Sequence, residues 1–590
     1  MMDELDYYDT NIPCLAACPV HTNAGMYVAA IADGDDELAY LTARLPNPFA
    51  SVCGRVCAAP CEDACRRGAI DRPIAIRALK RFVTEQFGPE KGDSATWDRI
   101  AAPPAIELAK SIGIVGGGPA GMACAHDLRR LGYQVTVYEA TDKLGGAMWL
   151  GIPEYRLDRS VLKADMDAIL GLGVDVEFNT RLGDDVTLEQ LRERHDAVFL
   201  GIGATLGRGL DIEGAEADGV FKAIEFLINM NRGFAVDVGE RVVVIGGGDV
   251  AMDAARTALR ASEYGSGDAE SADHQSTITA AIDVARTAAR AGAREVTVVS
   301  LEARDEMPAH DFEIEEAEHE GIDFVARRGP KRIVVDDGRV VGIDTVGVES
   351  VFDADGRFAP VFDEDDRSVF DADTVILAIG QAIDLEALGD AGPEVSPRRT
   401  IQIDNDTGAT SMAGVWSGGD AAKGPRTLID AIADGRRSAA DIHRSFGGHL
   451  DERAAGTMVK LTQFHRLDDD YDQHDRVAVP TLDTGRRIGL AEVELGFTEQ
   501  QARCEAARCL RCFANIILDV EKCVLCALCA DVCPVDVISL VPSEELDPTS
   551  TGGTALLLDE ERCIRCALCI ERCPPDALSM SMWKGVGASA

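Results

Sequence analysis

Residues 112–140 read IGIVGGGPAGMACAHDLRRLGYQVTVYEA. An apolar run of strand type ends at Gly116-x-Gly118-x-x-Gly121, a helical pattern follows, and a second strand ends at Glu139. The glycines permit a tight turn and let a pyrophosphate approach the helix N-terminus. Glu139 is placed to accept a hydrogen bond from a ribose hydroxyl. The glycine spacing alone is a weak signal. Strand, helix, strand and terminal acid in order predict a Rossmann-like βαβ unit. Cys124, one turn into the helix, reads as packing.

A second unit of the same kind begins at 241–261, RVVVIGGGDVAMDAARTALRA. Its loop is Gly246-x-Gly248-Asp249-x-Ala251, and its second strand, EVTVVSLE, arrives late, at 295–302, ending on Glu302. The delay holds an acidic loop, SEYGSGDAESADHQS. After it, AIDVARTAARA (281–291) nearly copies AMDAARTALRA (251–261). This reads as a duplicated helix within a surface elaboration. Two glycine loops imply two dinucleotides. The sequence then returns to ADTVILAIGQ (372–381) and GVWSGGDAAKGPRTLIDAIADGRRSA (414–439). That return implies an NAD(P) domain inserted into an FAD domain. Gly380, Gly419 and Asp420 are expected at the flavin, with Asp420 by the ribityl chain.

The cysteines are unevenly spread: of 18, six lie in 14–65, one is Cys124, eleven lie in 504–573, and none lies between 124 and 504. Thiolates clustered this way point to iron–sulfur or zinc sites rather than disulfides. Cys523-x2-Cys526-x2-Cys529-x3-Cys533-Pro534 is repeated as Cys563-x2-Cys566-x2-Cys569-x3-Cys573-Pro574. In this bacterial ferredoxin spacing the fourth Cys of each run serves the other cluster. One [4Fe–4S] cluster is therefore expected on Cys523, Cys526, Cys529 and Cys573, the other on Cys563, Cys566, Cys569 and Cys533. Two zinc knuckles are the competing reading, disfavoured by eight Cys with no His in this cadence. Residues 541–555 read as an exposed loop between the halves.

At 590 residues the chain has room for three to five domains. Its formal net charge is −43, and only 11 of its 58 basic residues are Lys. Dispersed acidity repels phosphates and argues against nucleic acid. It suits either a basic partner or a halophilic cytoplasm, where salt screens self-repulsion. No apolar run of about 18 residues is present, so no membrane span is expected. The acidic N-terminus lacks the apolar core of a secretory signal, and a cytoplasmic location is expected.

The stretches CLAACPVHT (14–22), CGRVCAAPCEDAC (53–65), GGGPAG (116–121), LGGAMWLGIPEYRL (144–157), FLGIGA (199–204), GGGDVAMDAARTALR (246–260), EMPA (306–309), AIGQ (378–381), GGDAAKGPRTLIDAIADGRRSA (418–439) and EAARCLRC (505–512) carry a resemblance. In them the chain resembles the small subunit of glutamate synthase and its relatives. Those include the iron–sulfur core of dihydropyrimidine dehydrogenase, large subunits of NADH-dependent ferredoxin:NADP oxidoreductases, and NAD(P)H:acceptor flavoproteins with a ferredoxin tail. The implied fold is α/β with two Rossmann-like domains, an N-terminal helical Fe–S domain and a C-terminal α+β bacterial ferredoxin-like domain. The expected boundaries are 1–104 for the helical Fe–S domain, 105–235 and 371–450 for the FAD domain, and 236–370 for the NAD(P) domain. A linker with extra Cys is expected at 451–513, and the ferredoxin domain at 514–590. Gly146 and Arg156, in LGG and GIPEYR, are expected by the flavin.

Three departures from the family pattern matter. Relatives that use NADPH carry paired Arg where this chain has Leu301 and Glu302. A carboxylate there bonds a free 2′-hydroxyl and repels a 2′-phosphate, which favours NADH, although Arg304 lies nearby. The family's N-terminal domain opens with CxxCxxxxCxxxCP, of which only Cys14 and Cys18 remain. A Gln or Glu ligand of its second cluster falls at Lys80, whose ammonium cannot bind iron. Cys509-x-x-Cys512, outside the ferredoxin runs, has the spacing of the missing pair. It is expected to complete one cluster with Cys14 and Cys65. The other cluster would use Cys18, Cys57 and Cys61 with Cys53 or Cys504. A single N-terminal cluster is the competing reading.

The resemblance implies an electron-transfer oxidoreductase that passes electrons between NAD(P)H and a ferredoxin or partner redox subunit, through FAD and [4Fe–4S] clusters. Membership of a complex or homo-oligomer is expected. A glutamate synthase small subunit and a non-catalytic wiring subunit are the alternatives. Hydride transfer needs no acid or base, so no catalytic side chain is expected.

Overall fold

The computed structural model describes residues 10–92, 104, 106–234, 236–261, 293–389, 392–449, 456–464, 471, 474–487, 489–550 and 552–585. The duplicated-helix expectation at 281–291 lies outside them. The chain forms two compact units. One takes the described parts of 1–100, 443–480 and 496–590, the other those of 101–442 and 481–495. Among the described residues no helix is long and apolar enough to cross a membrane.

The second of these units holds two parallel sheets of five strands. The first runs in the order Val415–Ser417, Ala197–Leu200, Ser111–Val115, Gln134–Tyr138, Asp175–Glu177. The second runs Val220–Lys222, Thr374–Leu377, Arg241–Ile245, Glu295–Val299, Asp323–Val325. Their central strands, such as SIGIV, AVFL, RVVVI and TVIL, are buried almost throughout. That follows from helices covering both faces of a parallel sheet. Leu206–Gly207 and Gln381–Ala382 pair antiparallel, so the chain leaves the first domain and re-enters it along one short ribbon.

Two boundaries therefore move. Thr374–Leu377, within the ADTVILAIGQ stretch assigned above to the FAD domain, is a central strand of the NAD(P) sheet. Val220–Lys222, assigned to the FAD half at 105–235, edges the same sheet, with the following helix Ala223–Asn231 packed against it. The return to the FAD domain occurs at the 381–382 crossing. A three-stranded antiparallel sheet, Arg328–Asp336, Arg339–Phe352 and Phe358–Asp371, precedes it.

In the other unit helix Ile76–Phe87 packs against Ala24–Asp33, Asp36–Arg44 and Ala50–Val56, and Glu499–Ala507 packs on Ala24–Asp33 and Ile76–Phe87. The ferredoxin part has an antiparallel sheet ordered Gly456–Lys460, Leu578–Gly585, Asn515–Leu518, and a hairpin of Ile538–Pro542 with Thr554–Leu558. A single hydrophobic cluster contains Tyr27 and Leu79 from the start of the chain and Phe497, Ala502, Phe513, Cys529 and Cys563 from its end.

The 451–513 segment is thus not a linker as a whole. Gly456–Lys460 is a strand of the ferredoxin sheet, and Glu499–Ala507 is a helix of the shared core. That helix starts at a capping box, with the Thr498 hydroxyl accepting from Gln501 N and the Gln501 side chain accepting from Thr498 N. The expected loop at 541–555 carries the short helix Ser543–Leu546 and the ends of both hairpin strands.

Candidate functional site

In the first sheet's glycine loop the backbone is packed against backbone. Gly116 has φ +98, and a Cβ there would lie 2.4 Å from Gly201 O; one on Gly121 would lie 2.0 Å from Gly116 O. Neither position admits a side chain. A Cβ on Gly146 would meet Gly118 Cα at 2.9 Å, so the LGG loop lies directly on the glycine loop. Pro119 then opens the helix Pro119–Arg130, whose first turn leaves backbone N–H groups for an anion. Buried Glu139 accepts from Gly117 N at 2.8 Å and from Thr141 N at 2.9 Å, which fixes its carboxylate beside the loop.

At the far side of this site Gly419, at φ +63, donates to buried Asp434 at 3.1 Å. Asp420 accepts from Arg426 N at 3.2 Å. Burial pushes its carboxyl up to about 6. A desolvated carboxylate with spare acceptor capacity suits a polyol chain. Together with the loop and Glu139, these residues fit FAD. Gly380, at φ +104, sits where the strand Thr374–Leu377 gives way to the crossing ribbon, and its carbonyl accepts from Arg208 N at 3.1 Å.

The second loop repeats the first. Gly246 has φ +141, and a Cβ there would lie 2.3 Å from Ala378 O, while one on Gly248 would meet nothing within 4 Å. Glu302 stands as Glu139 does. A Cβ built on Gly247 would lie 3.1 Å from Glu302 Oε2, and one built on Gly117 would lie 3.1 Å from Glu139 Oε2. The EMPA turn closes over this loop, with Ala309 N donating to Gly247 O at 2.9 Å. Asp249, first residue of the helix Asp249–Leu259, accepts from His310 N at 2.9 Å and meets His310 Nδ1 at 2.8 Å. Arg304 reaches Glu318 at 2.8 Å, an exposed pair.

Arg156, expected by the flavin, is held by two carboxylates. Its guanidinium grips Asp253 at 2.7 Å and also pairs with Glu313. Both partners lie on helices of the NAD(P) domain, Asp249–Leu259 and Asp311–His319. GIPEYR therefore joins the two dinucleotide-binding halves. The network continues through Arg256 and Arg260 to Glu320, which Arg487 also contacts. Sequence reasoning missed this role because the partners lie far along the chain.

The ferredoxin cysteines gather as their spacing predicts. Cys523, Cys526, Cys529 and Cys573 line one cavity; Cys533, Cys563, Cys566 and Cys569 line a second. The halves match in backbone as well as sequence. Leu525 and Arg565, each just before the second Cys of its run, have φ of +53 and +59; Ala527 and Ala567 have +63 and +65. Non-glycine residues in this conformation mark loops held to a purpose. Val537 N and Ala577 N lie 3.5 and 3.3 Å from the sulfurs of Cys533 and Cys573, the donor pattern that tunes such clusters.

Cys509-x-x-Cys512 carries the same signature. Arg511, just before its second Cys, has φ +50, and its N–H reaches Cys509 Sγ at 3.4 Å. Cys14, Cys65, Cys509 and Cys512 come together. Burial and the sulfurs of Cys512, Cys509 and Cys65 hold the Cys14 thiol well above its ordinary range, and burial and Cys512 push Cys509 up to about 12. Buried thiols that oppose one another's ionisation fit a cationic metal core. Arg508 and Glu505 pin the segment. Arg508 bonds Asp71 at 2.9 Å, and the Glu505 carboxylate accepts from Ala75 N and Val477 N, each at 2.8 Å.

The remaining N-terminal thiols, Cys18, Cys53, Cys57 and Cys61, surround Lys80. Burial opposes its charge, but Cys53, Cys57, Cys18 and Cys61 outweigh burial and raise it above its ordinary range. Of the two candidates for a fourth thiol, Cys53 is buried and Cys504 is exposed. Among the described residues no three His, Cys, Asp or Glu side chains converge on a single-ion point.

Comparison with known families and proteins gives three domain matches. The pyridine nucleotide-disulphide oxidoreductase pattern covers residues 110–435, dihydropyrimidine dehydrogenase domain II with its 4Fe-4S cluster covers 8–91, and the 4Fe-4S dicluster domain covers 522–577. The NADP(+)-dependent formate dehydrogenase subunit beta of Moorella thermoacetica is 34% identical over 537 residues, 85% of this chain and 70% of that one. The NADPH-Fe(3+) oxidoreductase subunit beta of Geobacter sulfurreducens is 34% identical over 554 residues, 85% and 75% of the two chains. The glutamate synthase [NADPH] small chain of Azospirillum brasilense is 30% identical over 446 residues, 73% and 85%.

Proposed function

The chain belongs to the pyridine nucleotide-disulphide oxidoreductase family, among iron–sulfur flavoprotein subunits related to the small chain of glutamate synthase, and on that premise we propose that NADH is its electron donor. It is an NAD(P)-linked electron-transfer oxidoreductase that carries FAD and 4Fe–4S clusters. FAD supplies the conversion between a two-electron hydride and one-electron cluster chemistry. The protein's part is to hold and orient. The first glycine loop and Gly146 cradle the flavin's pyrophosphate, Glu139 takes the adenosine ribose, and Asp420 takes the ribityl chain.

The observation that carries the choice of NADH is Glu302. It stands beside its glycine loop on the side Glu139 takes beside the first, so that a Cβ built on Gly247 would lie 3.1 Å from its Oε2. A carboxylate so placed bonds the ribose hydroxyls and repels a 2′-phosphate. Of the arginines near it, Arg304 pairs with Glu318, and Arg327, whose N–H donates to Glu302 O, pairs with Glu306.

The same reading assigns four clusters. Two are the ferredoxin pair, one is held by Cys14, Cys65, Cys509 and Cys512, and one lies among the cysteines around Lys80. Gathering of Cys509 and Cys512 with Cys14 supports the third. The electron acceptor is a ferredoxin or a partner redox subunit, the relatives being named as subunits. A reducing cytoplasm suits clustered thiolates. High salt there suits 101 acidic residues set against 58 basic ones. Anaerobic mixing of the isolated chain with NADH or NADPH tests the proposal. Faster bleaching of the flavin by NADH supports it; faster bleaching by NADPH, or none by either, refutes it.

A further inference from the structure

Helix Ala50–Val56 lies unusually close to helix Ile76–Phe87: a Cβ on Gly54 would stand 2.9 Å from both Arg81 Cα and Arg81 N. This approach puts Cys53 on the first helix, and Cys57 at its C-terminal end, against Lys80 on the second. Lys80 is 6% exposed and Cys53 is wholly buried. The Lys80 ammonium also stands 6.0 Å from the centre of the Tyr27 ring. Buried Tyr27 in turn neighbours Cys61 and Cys18 of this group and Cys14 of the other.

A buried lysine needs compensating charge, and four thiols are close by. The Lys80 ammonium has no lone pair to give to iron. The fourth ligand must come from elsewhere. Cys53 and Cys57 are one helical turn apart, with Cys57 N donating to Cys53 O at 3.3 Å, and their thiols act on each other. Asn47, itself wholly buried, neighbours Cys53, and its Nδ2 has no hydrogen-bond partner among the described residues. Ala59, at φ +54, precedes Pro60-Cys61 and donates its N–H to Cys57 Sγ at 3.4 Å, the loop signature of the other cluster-binding runs.

We propose that Cys18, Cys53, Cys57 and Cys61 hold a [4Fe–4S] cluster whose buried counter-ion is the ammonium of Lys80. A cube with four thiolates is anionic and gains a further negative charge on one-electron reduction. A fixed cation in a low-dielectric site stabilises the reduced form more than the oxidised one and raises the potential. Lys80 is therefore a positioning and tuning residue, and this cluster accepts electrons more readily than it would with a neutral residue at that site.

The assignment rests on the two-cluster reading of the N-terminal region, and iron analysis of the unsubstituted chain tests that reading separately. About sixteen irons per chain support it; about twelve or fewer overturn it. Given about sixteen, EPR-monitored redox titration of Lys80→Met should show one cluster lowered by at least a tenfold change in its one-electron equilibrium, about 59 mV. The others should stay unmoved. Unchanged potentials for all clusters would overturn the counter-ion role. Cys53→Ala should lose one iron from one cluster and show the oxidised three-iron EPR signal. Cys53→Ser, which keeps an oxygen donor and the side-chain size, should retain iron with an altered spectrum for that cluster. Spectra and iron content identical to the unsubstituted chain in Cys53→Ser would overturn the ligand assignment, whether or not Cys53→Ala folds.

Discussion

Replacing Glu302 by Ala removes the carboxylate that is proposed to take the nicotinamide cofactor's adenosine ribose. A hydrogen bond to a charged group contributes about 1.5–3 kcal/mol. At about 1.4 kcal/mol per decade, kcat/KM for NADH should fall by about 10- to 150-fold. The damage should stay local. The EMPA turn is held to the loop by Ala309 N on Gly247 O, a backbone bond the substitution leaves alone. FAD content should be unchanged, because Glu139 serves a separate loop. With NADPH the same variant should lose nothing and gain activity, since repulsion of the 2′-phosphate is relieved. Leu301→Arg combined with Glu302→Arg should go further and reverse the preference, because a guanidinium pair can grip the phosphate. Anaerobic stopped-flow reduction of the flavin by each nucleotide is the assay. Equal losses with NADH and NADPH in Glu302→Ala, or an undiminished NADH rate, would refute the placement.

Three further outcomes are expected. Glu320 is held by Arg260 and Arg256 against its burial, at about 2, well below the ordinary carboxylate. Its stabilisation is therefore complete above about pH 4.5 and lost as pH falls toward 2, so Glu320→Gln should cost about 3 kcal/mol at pH 7 and progressively less in acid, by denaturant titration. Cys509→Ser with Cys512→Ser should leave about twelve irons and an intact ferredoxin EPR signature; about sixteen would show that these thiols hold no cluster. The chain's thermal midpoint should rise between about 0.1 and 1 M KCl, over which the Debye length falls from about 10 to about 3 Å, and a flat response would remove the high-salt reading.

What could be read from sequence was what is written in local spacing. The two glycine loops and the terminal acids Glu139 and Glu302 sit within single βαβ units, and the ferredoxin ligands follow a cadence. Even the distant pair Cys509 and Cys512 was legible, because a missing CxxC leaves a gap that another CxxC can fill. The strand Thr374–Leu377 was misplaced because a doubly buried parallel strand looks alike in either sheet; only its pairing with Val220–Lys222 and Arg241–Ile245 assigns it. The ion pairs of Arg156 were not legible because a guanidinium carries no mark of its partner. The proposed choice of Cys53 over Cys504 rests on burial, which spacing does not carry.

The most direct test of the account is an anaerobic titration of the isolated chain with NADH, followed by visible absorption for the flavin and by EPR for the clusters. Bleaching of the flavin together with the appearance of reduced-cluster signals is the predicted result. A flavin that bleaches while clusters reducible by dithionite stay oxidised would contradict it.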